Sequence, residues 1–471
     1  MLERFTPTAA QFDQTSAPFR IAPGAVQPGL TQFDGVTTYL HGDRLRVFDR
    51  VCDHNGGRLI SKGGKMVCPL HGWEMDPKTG RYTNVACTKR PLFETNQFDP
   101  GQEIVLDLPQ TRRRLMGFDS PLPVSIRYLN HACLVVEGGG LRFATDPWLI
   151  GPAFSNGWWL AEPSPADAIE AVNACDFLFI SHNHPDHLHP ETLAQIRRDM
   201  PVLTAAFPSR STERYLRDLG FETILAAGFD ERLVWDGHEV ALSVLKSGDF
   251  RDDSGLMIEI GSFSAVLSVD ANYIDFWRFP EGLSLLASSF AGGASGFPLC
   301  FDTFDDTAKA RIVTRNRNAV LATNGQMLSK AKPKVFAPYA GFFSERAPRD
   351  AGIKAGNGKN SVASYARLTA EHGATLVDLT QTQSLTFEGG QFTGAHALTT
   401  EQLPQPDPAV YIAATQEAFD TFDPEDLAQY FQASGFEGPL DLRVSLTDES
   451  FEQTDFALDI RFRKGSVPEA T

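Results

Sequence analysis

The sequence has little of what membrane proteins, nucleic-acid binders or disulfide-stapled secreted domains are made from. Its 471 residues include six cysteines, too few and too scattered for a disulfide framework. No apolar run approaches the roughly 20 residues of a membrane span. The stretch Met1–Arg20 carries Glu3 and Asp13 and no apolar core, so it does not read as a secretory signal. Basic residues are in deficit: 42 Lys and Arg stand against 59 Asp and Glu, a formal charge of −17. That balance argues against a nucleic acid partner. A cytoplasmic, reducing setting fits these absences. What remains is ordinary for a globular protein, with 42% hydrophobic and 21% charged residues. The length suffices for two or three domains.

Histidine is scarce too, eleven in all, and its distribution is therefore informative. Four histidines fall in Ser181-His182-Asn183-His184-Pro185-Asp186-His187-Leu188-His189. The apolar run Phe177–Ile180 before it reads as a buried strand, and Pro190 after it opens a helical segment to about Arg198. His182 and His184 alternate and can face one cavity. Asp186 and His187 follow on the turn and can reach a second point nearby. Imidazoles with a carboxylate at this spacing suit one divalent metal or a pair. The plainer alternative is a polar turn whose histidines cap the next helix.

Two cysteines also stand out. Cys52-Asp53-His54 and Cys68-Pro69-Leu70-His71 each run into glycine. The order Cys, His, Cys, His on two loops differs from the usual zinc-finger order, although a Cys2His2 zinc site and incidental placement compete as readings. The segment to about residue 108 is rich in short strand patterns, among them Val36–Leu40, Leu45–Phe48 and Glu103–Leu106. Arg112-Arg113-Arg114, Pro121 and Pro123 read as a solvated linker over 109–122. From Val124 onward strand patterns alternate with helical segments near 191–198, 211–219 and 305–330, consistent with a layered α/β domain. Two short helices around Pro424 and strands over 440–446 and 456–462 read as a small appendage, by default a packing or dimerisation element. The remaining cysteines, Cys87, Cys133, Cys175 and Cys300, read as ordinary thiols.

These motifs carry resemblances. The pair of Cys-His loops resembles a Rieske domain, in which two cysteines hold one iron and two histidines the other. The pattern His-x-His-x-Asp-His resembles the metal signature of the metallo-β-lactamase superfamily. Together with Asp146–Trp159, Ala291–Pro298 and Pro338–Phe342, they resemble the cytidine monophosphate–N-acetylneuraminic acid hydroxylase family over about residues 45–345. The resemblance implies a Rieske [2Fe-2S] β-domain over 1–110, a metallo-β-lactamase-like αββα sandwich over 111–400 and a C-terminal α/β appendage over 401–471. Cys52, His54, Cys68 and His71 would hold the cluster. His182, His184, Asp186, His187 and Asp270, at the end of the strand 265–269, would hold non-haem iron, one ion or two. Where the superfamily usually has another loop histidine this chain reads Ser247-Gly248-Asp249-Phe250, so Asp249 is the candidate substitute, with Asp252 and Asp253 competing. No late histidine appears either, and such an oxygen-rich ligand set suits iron or manganese better than zinc. His131 is open between a site residue and a buried structural one. Trp148, Trp158, Trp159 and Gly292–Gly296 read as pocket walls.

The implied activity is an oxygenase with dioxygen as co-substrate. It would hydroxylate a small polar metabolite, with an N-acyl group of a nucleotide sugar first and an amine or amide second. It would take electrons from a ferredoxin, cytochrome b5 or flavin reductase. The competing readings are a metal-dependent hydrolase with a redox-sensing cluster and an electron carrier with a vestigial second domain. A homo-oligomer stays open.

Overall fold

The structure, a computed structural model, describes the chain apart from residues 1, 34, 54–58, 69–71, 249–250, 293–295, 399, 420–423, 434–435, 437, 448–452, 464, 467–468 and 471. By its internal contacts the chain forms two compact units. One comprises Met1–Glu345 with Ile353–Gln405, and the other Arg346–Gly352 with Pro406–Thr471.

Most of the first unit is built on two eight-stranded sheets. One sheet runs in the order Ile224–Ala227, Val202–Ala205, Phe177–Ile180, Leu141–Thr145, Cys133–Gly138, Pro123–Asn130, Ser384–Glu388 and Gln391–His396. The other runs Phe5–Ala9, Glu231–Trp235, Val240–Lys246, Ser254–Ile260, Phe263–Leu267, Leu285–Ser289, Val335–Tyr339 and Thr375–Leu376. The apolar core lies between their inner faces, where Val136, Phe143, Phe177, Leu242, Ile258 and Leu267 are at most 1% exposed. A second apolar layer packs helices Ala168–Asn173, Pro190–Ala194 and Ser211–Asp218 on the first sheet. A third covers the other sheet, with Met327, Leu328 and Ala331 of the long helix Asp306–Ala331. This is the αββα order. Phe177–Ile180 is buried at every position, which is why its sequence is a continuous apolar run and does not alternate.

In both sheets several strands are parallel: Leu141–Thr145 beside Phe177–Ile180, then Val202–Ala205, and Phe263–Leu267 beside Leu285–Ser289, then Val335–Tyr339. Open α/β sheets gather their sites at the carboxyl ends of such strands. Asp146, Ser181, Asp270 and Ala340 all follow such ends.

The N-terminal β region has its own small sheets. Gly29–Gln32, Val36–His41, Arg44–Asp49 and Phe93–Thr95 form one, and Ile60–Lys62, Lys65–Val67 and Glu74–Met75 another. Phe5–Ala9 lies elsewhere, as the edge strand of a large sheet. The expected linker is partly a strand: Ile104–Arg113 pairs with Phe12–Ile21 over ten residues. The basic run is not simply solvated either. Arg112 pairs with Glu281, and Arg114 with Asp13. Arg113 is buried against Asp275, with Nε–Oδ2 at 2.9 Å and both side chains 3% exposed. A run of like charges reads as solvated when its partners lie far away in sequence.

In the second unit helices Pro408–Phe419 and Pro424–Gln432 accompany a three-stranded sheet of Leu440–Thr447, Gln453–Phe462 and Glu469–Ala470. Its core is Leu458, Ile460 and Phe462 with Leu427 and Phe431.

Candidate metal centre and its cavity

The histidine cluster leaves the carboxyl end of Phe177–Ile180 and closes a turn, in which the His187 amide donates to the His184 carbonyl at 3.0 Å. Pro185 fixes φ at the second position of that turn. Asp186 and His187 are thereby aimed back under His182. The His182 Nε2 and His184 Nδ1 atoms lie 2.8 Å apart. His187 Nε2 lies 3.4 Å from Asp186 Oδ2 and 3.6 Å from Asp270 Oδ2. His189, the fourth histidine, turns away. It caps the helix Pro190–Ala194, its Nδ1 accepting from the Thr192 amide at 3.2 Å, and its Nε2 donates to the Pro152 carbonyl at 3.1 Å.

Three residues join from elsewhere. His131 Nε2 is 3.2 Å from Asp186 Oδ2, and its ring packs edge-on against Trp148. Asp253 is 2% exposed, with Oδ1 3.9 Å from His182 Nε2 and Oδ2 3.0 Å from Arg251. Asp146 accepts from the Ser181 amide at 2.7 Å and hydroxyl at 2.8 Å and approaches His187 Nδ1 at 3.3 Å, so it orients that ring from behind. In three groups, His131–Asp186–His187, His182–His187–Asp270 and His182–His184–Asp253, one donor atom per residue lies within 4.8 Å of the others. Asp249 lies outside the described residues; among the described residues of that loop Asp253 reaches the cluster.

The backbone around the site is strained. His131, Asp146, Val269 and Ala340 have φ of 45°, 32°, 51° and 52°, a region that a β-branched residue such as Val269 avoids. Such strain gathers at functional sites, and here it turns Asp270 inward at its strand end. The strands are tied together there: the Ala340 amide donates to the His131 carbonyl at 3.0 Å, and the Ser254 hydroxyl to the Ser181 carbonyl at 2.6 Å.

The electrostatics suit a cation. Burial holds His182 and His184 below the usual imidazole range and so neutral, the form that ligates metals. Burial also works against charge on His187, but Asp186, Asp146 and Asp270 outweigh it, so this point favours positive charge. Burial likewise opposes ionisation of Asp270, yet His187 holds its carboxyl down at about 2. His187 Nδ1 and Nε2, His131 Nδ1 and Asp186 Oδ1 are buried without a well-directed hydrogen bond. A buried polar atom left so costs about 1–3 kcal/mol. Converging donor atoms of this kind fit one or two bound metal ions.

Asp270 opens onto a cavity of about 540 Å³ lined by Trp158, Arg251, Arg315, Asn316, Thr323 and Phe343, among others. Trp158 stacks on Phe343 with centroids 3.7 Å apart. Gly292 also lines it, while 293–295 lie outside the described residues. Trp148 and Trp159 do not: they are 0% and 2% exposed, with indole N–H groups donating to the Gly151 and Asn156 carbonyls.

In the N-terminal region Cys52 and Cys68 are both reduced and buried in one small apolar cluster with Phe48, Leu59, Met66, Met75 and Tyr82. The Cys68 amide donates to the Trp73 carbonyl at 2.8 Å, and the Gly72 amide to the Cys68 carbonyl at 3.0 Å. The Tyr82 hydroxyl donates to Asp53 at 2.8 Å and packs by the Cys52 loop. His54 and His71 lie outside the described residues. Two buried thiols from two loops fit the cysteine half of a mixed-ligand cluster.

Comparison with known proteins agrees with this geometry. Residues 28–104 match the Rieske [2Fe-2S] domain, and residues 125–247 the β-lactamase superfamily domain. The chain is thus a two-centre protein, a Rieske domain joined to a β-lactamase-fold domain. It is similar to the cytidine monophosphate-N-acetylneuraminic acid hydroxylase of Mus musculus, 30% identical over 366 residues, 71% of this chain and 62% of that protein. The Xenopus laevis hydroxylase is 28% identical over 453 residues, 88% of this chain and 75% of that one. The chain spans somewhat less than two thirds of the length of the mouse relative. CmlA, a diiron β-hydroxylase from Streptomyces venezuelae, aligns with 59% of this chain and 55% of its own at 18% identity and a TM-score of 0.39. No helix among the described residues is long and apolar enough to cross a membrane.

Proposed function

We propose that the protein is an iron-dependent oxygenase in which a Rieske cluster supplies electrons to a non-haem iron centre in the β-lactamase-fold domain. The single observation that carries this reading is the convergence of buried His182, Asp186 and His187 with half-buried His184 and Asp270 beside an open cavity, in a chain that also has a Rieske domain. His182, His184 and Asp253 would hold one ion, and His131, Asp186, His187 and Asp270 a second; Cys52, His54, Cys68 and His71 would hold the cluster. Asp249 stays a candidate beside Asp253. Functionally, the cluster would sit within residues 1–110 and the catalysis within 111–400, with 401–471 an appendage.

Iron at such a site supplies the binding and reduction of dioxygen. The chain's own residues do the rest. Asp146 holds the His187 ring in its orientation. Trp158 and Phe343 offer a stacked aromatic wall for a ring. Arg251 and Arg315, on the cavity lining, offer charge to an anionic substrate. An N-acyl group on a nucleotide-linked sugar fits this combination of aromatic and cationic walls, and the named relatives act in that class; an amine or amide metabolite is the second choice. The electron donor would be a ferredoxin, cytochrome b5 or flavin reductase of the same compartment, taken as cytoplasmic.

The test is turnover of cytidine monophosphate-N-acetylneuraminic acid with a reductase under isotopically labelled dioxygen. Label from dioxygen in the product is expected. Label only from water, with product formed equally well without reductant, would give the case to a metal-dependent hydrolase.

A further inference from the structure

One short, unusual stretch, Asn272–Trp277, follows Asp270 and shares a cavity with Val51 of the Rieske region. It begins two residues after Asp270. Tyr273, Asp275, Phe276 and Trp277 have φ of 49°, 47°, 52° and 60°, four non-glycine residues in a left-handed conformation that costs each of them energy. The surroundings hold them there. The Asn272 carbonyl accepts from the Gly248 amide at 2.8 Å and the Ser247 hydroxyl at 3.0 Å. Asp275 is buried in a bidentate pair with Arg113, at 2.9 and 3.0 Å, and receives Arg278 at 2.7 Å.

This strained turn presents Tyr273 to both sides. Toward the metal centre, its backbone is three residues from Asp270, and its ring packs so closely on Gly248 that a Cβ there would lie 2.3 Å from the ring. Toward the Rieske domain, Tyr273, Phe276 and Trp277 line a cavity of about 280 Å³ together with Val51, the residue before Cys52. The Tyr273 and Trp277 rings are 5.1 Å apart. Burial, and then the charges of Asp49 and Asp53 on either side of Cys52, push the Tyr273 hydroxyl up to about 12.

We propose that Tyr273 is the bridge by which electrons pass from the cluster at the Cys52 loop to the metal at Asp270. This rests on the reading of two cooperating centres. Packed aromatic rings and covalent backbone couple two redox centres better than open space does. One electron leaves the cluster, which is oxidised by one unit, and arrives at the second metal, which is reduced by one unit. No bond is made or broken, and the hydroxyl keeps its proton throughout. A packing role alone would explain the tight fit on Gly248, but it gives no reason for an aromatic turn of four left-handed residues at the meeting of the two domains.

The test is flash photoreduction of the oxidised cluster in protein with ferric iron in the second site, followed by the visible absorbance of the cluster. In the wild type the bleached band should recover as the electron moves on, and zinc in the second site should abolish that recovery. Tyr273→Leu should slow recovery by about an order of magnitude, with the cluster's paramagnetic resonance spectrum, reduction potential and iron content unchanged. Tyr273→Phe should recover at the wild-type rate, because the ring and not the hydroxyl is the bridge. Tyr273→Met, which keeps most of the volume without the ring, serves should the leucine variant lose its cluster, and should be equally slow. Recovery at the wild-type rate in Tyr273→Leu or Tyr273→Met overturns the bridge alone. Absence of recovery in iron-loaded wild type overturns the two-centre reading and the bridge with it.

Discussion

Removing metal from the second site is the perturbation whose cost the geometry sets most directly. Asp146, Asp186 and Asp253 are at most 2% exposed; Asp270 meets Asp146 and Asp186 at His187, and Asp253 lies by His182. Against these carboxylates, among the described residues, stands the permanent cation Arg251, 3.0 Å from Asp253. Like charges packed this closely destabilise the folded state unless a cation binds. A ligand present at about 100 times its Kd that binds only the folded state adds about 2.7 kcal/mol. At an unfolding entropy of about 2.1 cal/mol/K per residue, a domain the size of 111–400 shifts by roughly 1.6 °C per kcal/mol, so the β-lactamase-fold domain should melt about 4 °C lower when stripped than when reloaded with ferrous iron. Calorimetric scans of chelated and reloaded protein read this shift, with the cluster's visible spectrum recorded first to show that only the second site was emptied. A melting temperature indifferent to chelation and reloading would refute the reasoning, because the carboxylates would then be balanced by the protein alone.

Three further outcomes follow from the same geometry. His184→Ala should empty the second site of metal and leave the cluster spectrum unchanged; full second-site iron and full turnover in that variant would make the histidine cluster structural. Cys68→Ser should abolish the cluster's visible and paramagnetic resonance signals while the β-lactamase-fold domain stays folded and metal-loaded, as circular dichroism and metal analysis would read, because the two regions have separate apolar cores. Arg113→Ala leaves Asp275 buried with Arg278 as its cationic partner among the described residues. Breaking a buried pair costs about 3–5 kcal/mol, and Arg278 should hold the loss to the lower end in a urea melt. A loss below about 1 kcal/mol would place Arg113 with exposed pairs.

The parts of the site legible in the sequence are those whose chemistry is local. His182, His184, Asp186 and His187 sit within six residues, and the apolar run before them announces the strand that carries them. Asp270 was legible because it ends a strand. His189 shares the motif, yet it caps a helix: composition gave its presence, but only the turn at Pro185 fixes which way each ring points. His131, Asp146 and Asp253 reach the site from other strand ends; the sequence leaves His131 open and Asp253 competing with its loop neighbours, and nothing near Asp146 signals a role at the metal, because the strained φ of His131 and Asp146 is a tertiary property. The same limit explains Arg113, whose partner Asp275 is 162 residues away. It also explains the aromatic walls: Trp148, Trp158 and Trp159 look alike in sequence, but only Trp158 faces the cavity.

The central claim is that one chain holds two separate iron environments, and Mössbauer spectroscopy of protein grown on isotope-enriched iron tests it most directly. The expected spectrum contains two sulfur-bound cluster irons in unlike environments, plus iron bound by nitrogen and oxygen alone that disappears in His184→Ala. A spectrum with cluster iron only, accompanied by zinc at the His182–His187 site, would contradict it.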